Sequence, residues 1–154
     1  QYKRRSDLIP NLVSTVKGYA SHEKETLQAV VEARAKATSV NVNAGDLNQG
    51  KMNKFSQAQG GLSSALGRLM VVVEKYPDLK ANANFRDLQV QLEGTENRIT
   101  VARNRYIETI KAFNNLITVP PTSWYNSMFL KHTKKPQFQV DNIEEVQNAP
   151  KVKF

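Results

Sequence analysis

With 154 residues the chain has the size of one domain and can bury a core without disulfides or metals. Apolar residues make up 40% and charged residues 23%, with seven Gly and six Pro, which excludes low-complexity, collagen-like and charge-driven disordered sequence. Cysteine is absent, which excludes disulfide frameworks, thiol nucleophiles, cysteine zinc sites and iron–sulfur clusters, while 22 Lys+Arg against 14 Asp+Glu leave a net charge of +8 that favours acidic partners.

Ile9, Val13, Val16, Ala20, Leu27 and Val30 recur in steps of three and four and predict a helix over residues 6–40. Ser6 is its expected N-cap, which places Pro10 in the first turn, where a missing N–H costs no hydrogen bond; a helix that began further upstream would instead be kinked there. Glu23 takes the one position of the stripe that should be apolar. Asn41, Asn43, Gly45 and Asp46 then read as a loop.

A second helix is expected over 46–76, with Phe55, Leu62, Leu69 and Tyr76 spaced by sevens and Ala58, Ala65 and Val72 on the companion row. Gly60, Gly61 and Gly67 each weaken it by roughly 1 kcal/mol relative to Ala; close approach of a neighbouring helix is the expected reason for them, and a break of the helix near Gly60-Gly61 is the alternative. Pro77-Asp78 ends the element and starts a short turn.

The third segment, over 82–119, has the clearest pattern: Phe85, Leu88, Leu92, Thr95, Ile99, Ala102, Tyr106, Thr109, Phe113 and Leu116 hold one register through five heptads. Pro120-Pro121 terminates it, because the residue before a proline avoids helical geometry and proline cannot continue the ladder. Ser123 can cap a short helix over 123–132 that carries Trp124, Tyr125, Met128 and Phe129 on one side. In the remaining tail, Phe138 and Val140 alternate like an extended segment and residues 141–147 suit a helical turn.

Connections this short make consecutive long helices antiparallel neighbours. The expected fold class is therefore all-α: an up-and-down antiparallel four-helix bundle of three long helices and a short C-terminal one. Residues 1–154 read as one domain, with the bundle over 1–133 and an irregular tail over 134–154 packing on or beside it.

Catalytic constellations do not emerge from this pattern. His22-Glu23 begins like a metalloprotease helix, but the second histidine one turn later is missing, since position 26 is Thr; His132 lies on another element, and both histidines read as exposed. Glu23 within an apolar stripe needs a partner if buried, and Arg98 and Arg103 are the candidates for a buried polar site. Gly60-Gly61 lacks the preceding strand and following Lys-Ser/Thr of a phosphate loop, and no nucleophile elbow occurs. No enzyme activity, metal or cofactor is implied.

Sorted along the chain, basic against acidic residues number 7 and 4 over 1–40, 5 and 3 over 41–80, 5 and 4 over 81–119, and 5 and 3 over 120–154. No quarter dominates, as in ordinary solvated helix faces, so a specific nucleic-acid reader is not expected. One local feature offers an interaction patch: Trp124, Tyr125, Met128 and Phe129 followed by Lys131, Lys134 and Lys135 match an anionic membrane surface, where apolar groups insert and lysines attract headgroups. The competing reading is that the aromatic residues close one end of the bundle.

Three segments, RRSDLIPNLVSTVKGYASHEKETLQAVVEARAKA (4–37), ENRITVARNRYIETIKAFNNLITVPP (96–121) and APKVKF (149–154), resemble the bacterial LemA family, and the run from Asp7 to Val13 is its most specific local signature. The resemblance implies a helical-bundle domain that follows an N-terminal hydrophobic anchor and part of the first long helix. It implies no reaction, cofactor or catalytic residue. No run of about 18 apolar residues occurs in this sequence, and the opening QYKRRSDLIP reads as the interior of a longer protein.

The function expected from this combination is a non-enzymatic, membrane-tethered interaction or scaffold domain at the cell membrane, held by an anchor of roughly 20 apolar residues upstream of Gln1. Its protein partner is not specified by the sequence, and self-association through exposed heptad faces is a further expectation. The alternative is a soluble basic adaptor that binds nucleic acid or anionic lipid surfaces directly.

Overall fold

In the structure, a computed structural model describing residues 1–138, the apolar stripe from Ile9 to Val30 is folded into two helices. Helix α1 (Tyr2–Tyr19) ends in a turn at residues 20–23, and α2 (Lys24–Ser39) returns beside it. Ala20, in the turn, and Leu27, beyond it, are both buried, so the stripe stays in phase across the turn because both helices face one core. Spacing alone therefore gives no sign of the break, and the expected single helix over 6–40 is corrected to a hairpin.

The next helices are α3 (Gln49–Val73), α4 (Pro77–Ala81), α5 (Ala83–Thr118) and α6 (Thr122–Tyr125), the last running into a π-helical turn at Asn126–Leu130. No strand occurs among the described residues, and the fold is all-α. Asn48 and Asn82 start α3 and α5 as N-caps, their side-chain oxygens accepting the backbone N–H of Lys51 at 2.8 Å and of Phe85 at 3.0 Å. Both helices lie within three residues of their expected bounds.

Cross-links at both ends fix the directions. Arg34 of α2 reaches the Ser6 carbonyl of α1, Tyr76 after α3 reaches Glu23 before α2, and α1 meets α5 through Tyr19 and Asn82 at one end and Arg5 and Glu96 at the other. An up-and-down bundle of α1, α2, α3 and α5 results. Its fourth member is α2; the stretch expected as a helix over 123–132 is only α6 and the π turn, lies outside the bundle, and starts at Thr122 without a side-chain cap from Ser123.

The core is built from Ile9, Leu12 and Val16 of α1, Val30 of α2, Leu62 and Leu69 of α3, and Phe85 of α5, all essentially inaccessible to water. Burial of each such side chain contributes about 1.5–3 kcal/mol. Leu79 of the short α4 closes the end of the bundle beside the α3–α5 connection.

Because α1 begins at Tyr2, Pro10 lies inside it and not in a first turn capped by Ser6. Proline has no N–H to give the carbonyl four residues back, which is that of Ser6. The Arg34 side chain supplies the missing donor, its Nε lying 2.8 Å from the Ser6 oxygen. A helix-breaking residue thus becomes a docking point between α1 and α2.

The glycines of α3 do not serve a close helix approach. A Cβ built on Gly60, Gly61 or Gly67 would meet nothing within 4 Å, and α3 runs through all three without a break.

Helix α5, about 54 Å long at 1.5 Å per residue, outruns its neighbours. Phe85, Leu92, Thr95 and Ile99 are buried in the bundle, whereas beyond Ile99 only Ile110 is buried. Residues 131–138 turn back along this projecting half: Asn114 and Lys135 exchange side-chain to backbone hydrogen bonds at 3.0 and 2.8 Å, Tyr106 Oη donates to the Pro136 carbonyl at 2.8 Å, and Gln137 Nε2 donates to the Ile107 carbonyl at 2.9 Å. Phe138 ends the descent edge-on to Tyr106, in the non-helical backbone expected there; Val140 and residues 141–147 lie outside the described residues.

Candidate functional site

Three places gather polar or exposed apolar groups, and two of them are where the sequence directs attention. Glu23 sits at the turn between α1 and α2, half-buried, and accepts a hydrogen bond from Tyr76 Oη at 3.1 Å. Burial and this carboxylate hold the Tyr76 hydroxyl above the ordinary tyrosine value. Arg98 is exposed on α5, and Arg103 lies near the start of α1, at the opposite end of the bundle. Glu23 is therefore satisfied by a phenol, and the three residues do not come together.

The buried charge is Arg5, at 1% exposure, although Lys3 and Arg4 beside it in sequence are exposed. Its Nη1 donates to Ser63 Oγ at 2.6 Å and to Glu96 Oε1 at 2.7 Å, and its Nη2 donates to the Gln59 carbonyl at 3.0 Å and to Gln59 Oε1 at 2.6 Å. Gln59, itself buried, completes a link from α1 through α3 to α5. The signal that could have found Arg5 is the α1 stripe itself, since one four-residue step upstream of Ile9 lands on position 5.

Around this network, Tyr2 packs edge-on to Phe55 and beside the Arg5 guanidinium, while the Arg103 guanidinium lies 5.1 Å over the Phe138 ring. Burial raises the Tyr2 hydroxyl above its usual value, partly offset by Arg103 and Arg5.

The third place is the far tip of the molecule. Trp124, Met128 and Phe129 are 66%, 71% and 66% exposed, with Tyr125 and Leu130 exposed beside them. They do not close the bundle. Tyr125 and Phe129 pack on each other at 4.9 Å, and the segment is held by Asn126, whose side chain bonds both the backbone N–H and the carbonyl of His132 at 3.0 Å. Lys131, in a left-handed conformation at φ 52°, turns the chain out of the π helix and leads to Lys134 and Lys135. Lys131 and Lys134 are exposed, and Lys135 is half-buried against α5.

His22 and His132 are exposed, as expected, but lie in a turn and in irregular backbone and not on helices. Among the described residues no three His, Cys, Asp or Glu side chains gather as metal ligands, and no helix is long and apolar enough to cross a membrane.

Sorting charge by fold changes the picture drawn from quarters of the chain. Residues 100–138, the projecting half of α5 with its tip and the segment that turns back along it, carry six Lys or Arg and one acid, Glu108. The first 99 residues carry 14 and 10. The larger surplus thus belongs to the smaller part, beside the exposed aromatic residues.

The sequence profile of the LemA family matches residues 1–154. The chain is 28% identical over 155 residues to the magnetosome proteins MamQ 1 and MamQ 2 of Paramagnetospirillum magneticum, covering 88% of this chain and 56% of each of theirs. It is 26% identical over 148 residues to Protein LemA of Metamycoplasma hominis, covering 94% of this chain and 62% of that one. The chain spans little more than half the length of these curated relatives.

Proposed function

The chain belongs to the LemA family, and we propose from that premise that it is a non-enzymatic, membrane-tethered interaction domain whose projecting tip lies on an anionic membrane surface. The observation that carries this reading is the exposed cluster of Trp124, Tyr125, Met128, Phe129 and Leu130 at the end of a segment with six basic residues and one acid. Apolar side chains at such a tip gain by entering the headgroup boundary, and each nearby lysine adds about 1 kcal/mol of attraction to an anionic leaflet.

The bundle supplies a rigid base for that tip. Helix α1 begins at the end from which α5 projects, so a hydrophobic tether of about 20 residues upstream of Gln1 and the tip would face the same membrane. The tip by itself binds an anionic surface reversibly, and a tether would hold it there at a high effective concentration.

Co-sedimentation with vesicles tests the proposal. The chain is expected to pellet with vesicles rich in anionic lipid and to stay in solution with purely zwitterionic ones, and W124S/F129S is expected to abolish pelleting without loss of helicity. Equal pelleting of the folded double variant removes the tip from any role at the membrane. Steeply salt-dependent binding to DNA or RNA, with none to vesicles, would replace the reading by that of a basic adaptor.

A further inference from the structure

One seam of the bundle is open. Helix α1 packs along α2 and α5, and α2 along α3, whereas α3 and α5 stand further apart across a groove of about 480 Å³. Its floor is formed by Leu66 and Met70 of α3 and Leu92 of α5, and its α5 rim carries Gln89, Glu93 and Glu96. We propose that this groove is a docking site for an extended basic and apolar peptide, and that its occupant is the chain's own run APKVKF, residues 149–154, which lies outside the described residues.

The path of the described chain supports that occupant. From Lys135 to Phe138 the backbone passes from Asn114 to Arg103, moving toward the start of α5. Phe138 then walls a small cavity together with Ser63 and Glu96, and those two residues also line the groove. The chain has thus reached the mouth of the groove where the described residues stop. From Glu96 to Gln89 the rim covers about 10 Å at 1.5 Å per residue, and the 16 residues over 139–154 span up to roughly 50 Å at about 3.3 Å each, so the run 149–154 reaches the floor with slack.

Charge selects the part of that segment which docks. Glu93 and Glu96 line the groove, none of the described residues lining it is basic, and Glu93 makes no ion pair with any described residue, in a chain of net charge +8. Residues 139–148 hold Asp141, Glu144 and Glu145 and no Lys or Arg, so like charge keeps them from this rim. Residues 149–154 hold Lys151 and Lys153 and no acid. In extended backbone Val152 and Phe154 share one side and Lys151 and Lys153 the other, so the apolar pair suits the floor while the long lysine stems reach over to the rim carboxylates. Pro150 favours such an entry, because the residue before a proline avoids helical geometry. Weak contacts suffice for a peptide held on the same chain, since the connection supplies a high effective concentration. The groove lies on the bundle and not at the tip, so this inference does not depend on the membrane reading.

The lack of cysteine makes a single introduced one a unique site for a spin label. A nitroxide on Asn148→Cys of the full chain is expected to broaden the amide NMR signals of residues 66–70 and 89–93 more than those of any other part of the bundle. K151E/K153E and V152S/F154S are each expected to remove that broadening with helicity unchanged. Glu93→Lys should remove it as well, and Glu93→Lys combined with K151E/K153E should restore it. Broadening centred elsewhere, or broadening that persists in both tail variants, overturns the proposal. So does broadening that passes from a labelled copy to an isotope-enriched unlabelled one and is missing within a single chain, because the occupant would then be a second copy.

Discussion

The two halves of α5 carry one heptad register and meet different surroundings. From Phe85 to Ile99 the stripe is buried by α1 and the core residues of α2 and α3; from Ala102 to Leu116 the same spacing leads along a projecting helix against which the non-helical segment 131–138 packs. Periodicity in a sequence reports that a helix has an apolar face, and it is silent on what covers that face. In this molecule the first half supplies stability, and the second presents the charge and the aromatic tip.

The largest difference between the halves is expected from core truncation. Leu92→Ala is predicted to destabilise by about 2–5 kcal/mol and Leu116→Ala, on the exposed half, by less than about 0.5 kcal/mol, measured as shifts in the urea midpoint. Equal losses would mean that the projecting half is packed in solution. Next in size is Arg34→Met, which leaves the Ser6 carbonyl opposite Pro10 without a donor and is expected to cost about 1–3 kcal/mol; if stability is unchanged, the Pro10 site does not need Arg34.

The glycines give an effect of opposite sign. Gly61→Ala and Gly67→Ala each remove backbone freedom from the middle of α3 where a methyl group meets open space, and each should raise stability by about 0.5–1 kcal/mol. A destabilised variant would show that another helix approaches there after all.

The smallest expected effect is alkaline. Burial holds the hydroxyls of Tyr2 and Tyr76, on the bundle, and of Tyr106, on the projecting half, above the usual tyrosine value. The unfolded chain therefore ionises first as pH passes about 10, so stability that is complete below this pH falls as it rises toward the folded-state values. Tyr2→Phe should shallow the decline of the urea midpoint between pH 9 and 11, and an unaltered slope would remove Tyr2 from it.

Much of this architecture was legible from residue spacing. The bounds of α3 and α5, the Pro120-Pro121 stop and the all-α class follow from stripes, caps and prolines, because those signals are local. The turn at 20–23 was not legible, since an antiparallel hairpin whose two helices face one core preserves the phase of a single stripe. Glu23 looked like a buried charge for that reason, whereas it sits at the turn against Tyr76. Arg5 was hidden among Lys3, Arg4 and Arg5, where composition suggests solvent; its burial is set by Gln59, Ser63 and Glu96, partners 54 to 91 residues away. The tip residues were named from sequence, but only the fold shows that they project and do not close the bundle, and only the fold collects the charge beside them.

Trp124 is the single tryptophan of the chain and stands at the centre of the exposed tip, so its fluorescence reports on the proposed contact without a label. On addition of vesicles containing anionic lipid, its emission is predicted to shift to the blue and to become shielded from aqueous quenchers, with no response to zwitterionic vesicles. An emission maximum that stays at the solvent-exposed position while the protein co-sediments with the vesicles would contradict the account, because the chain would then be held by some other surface.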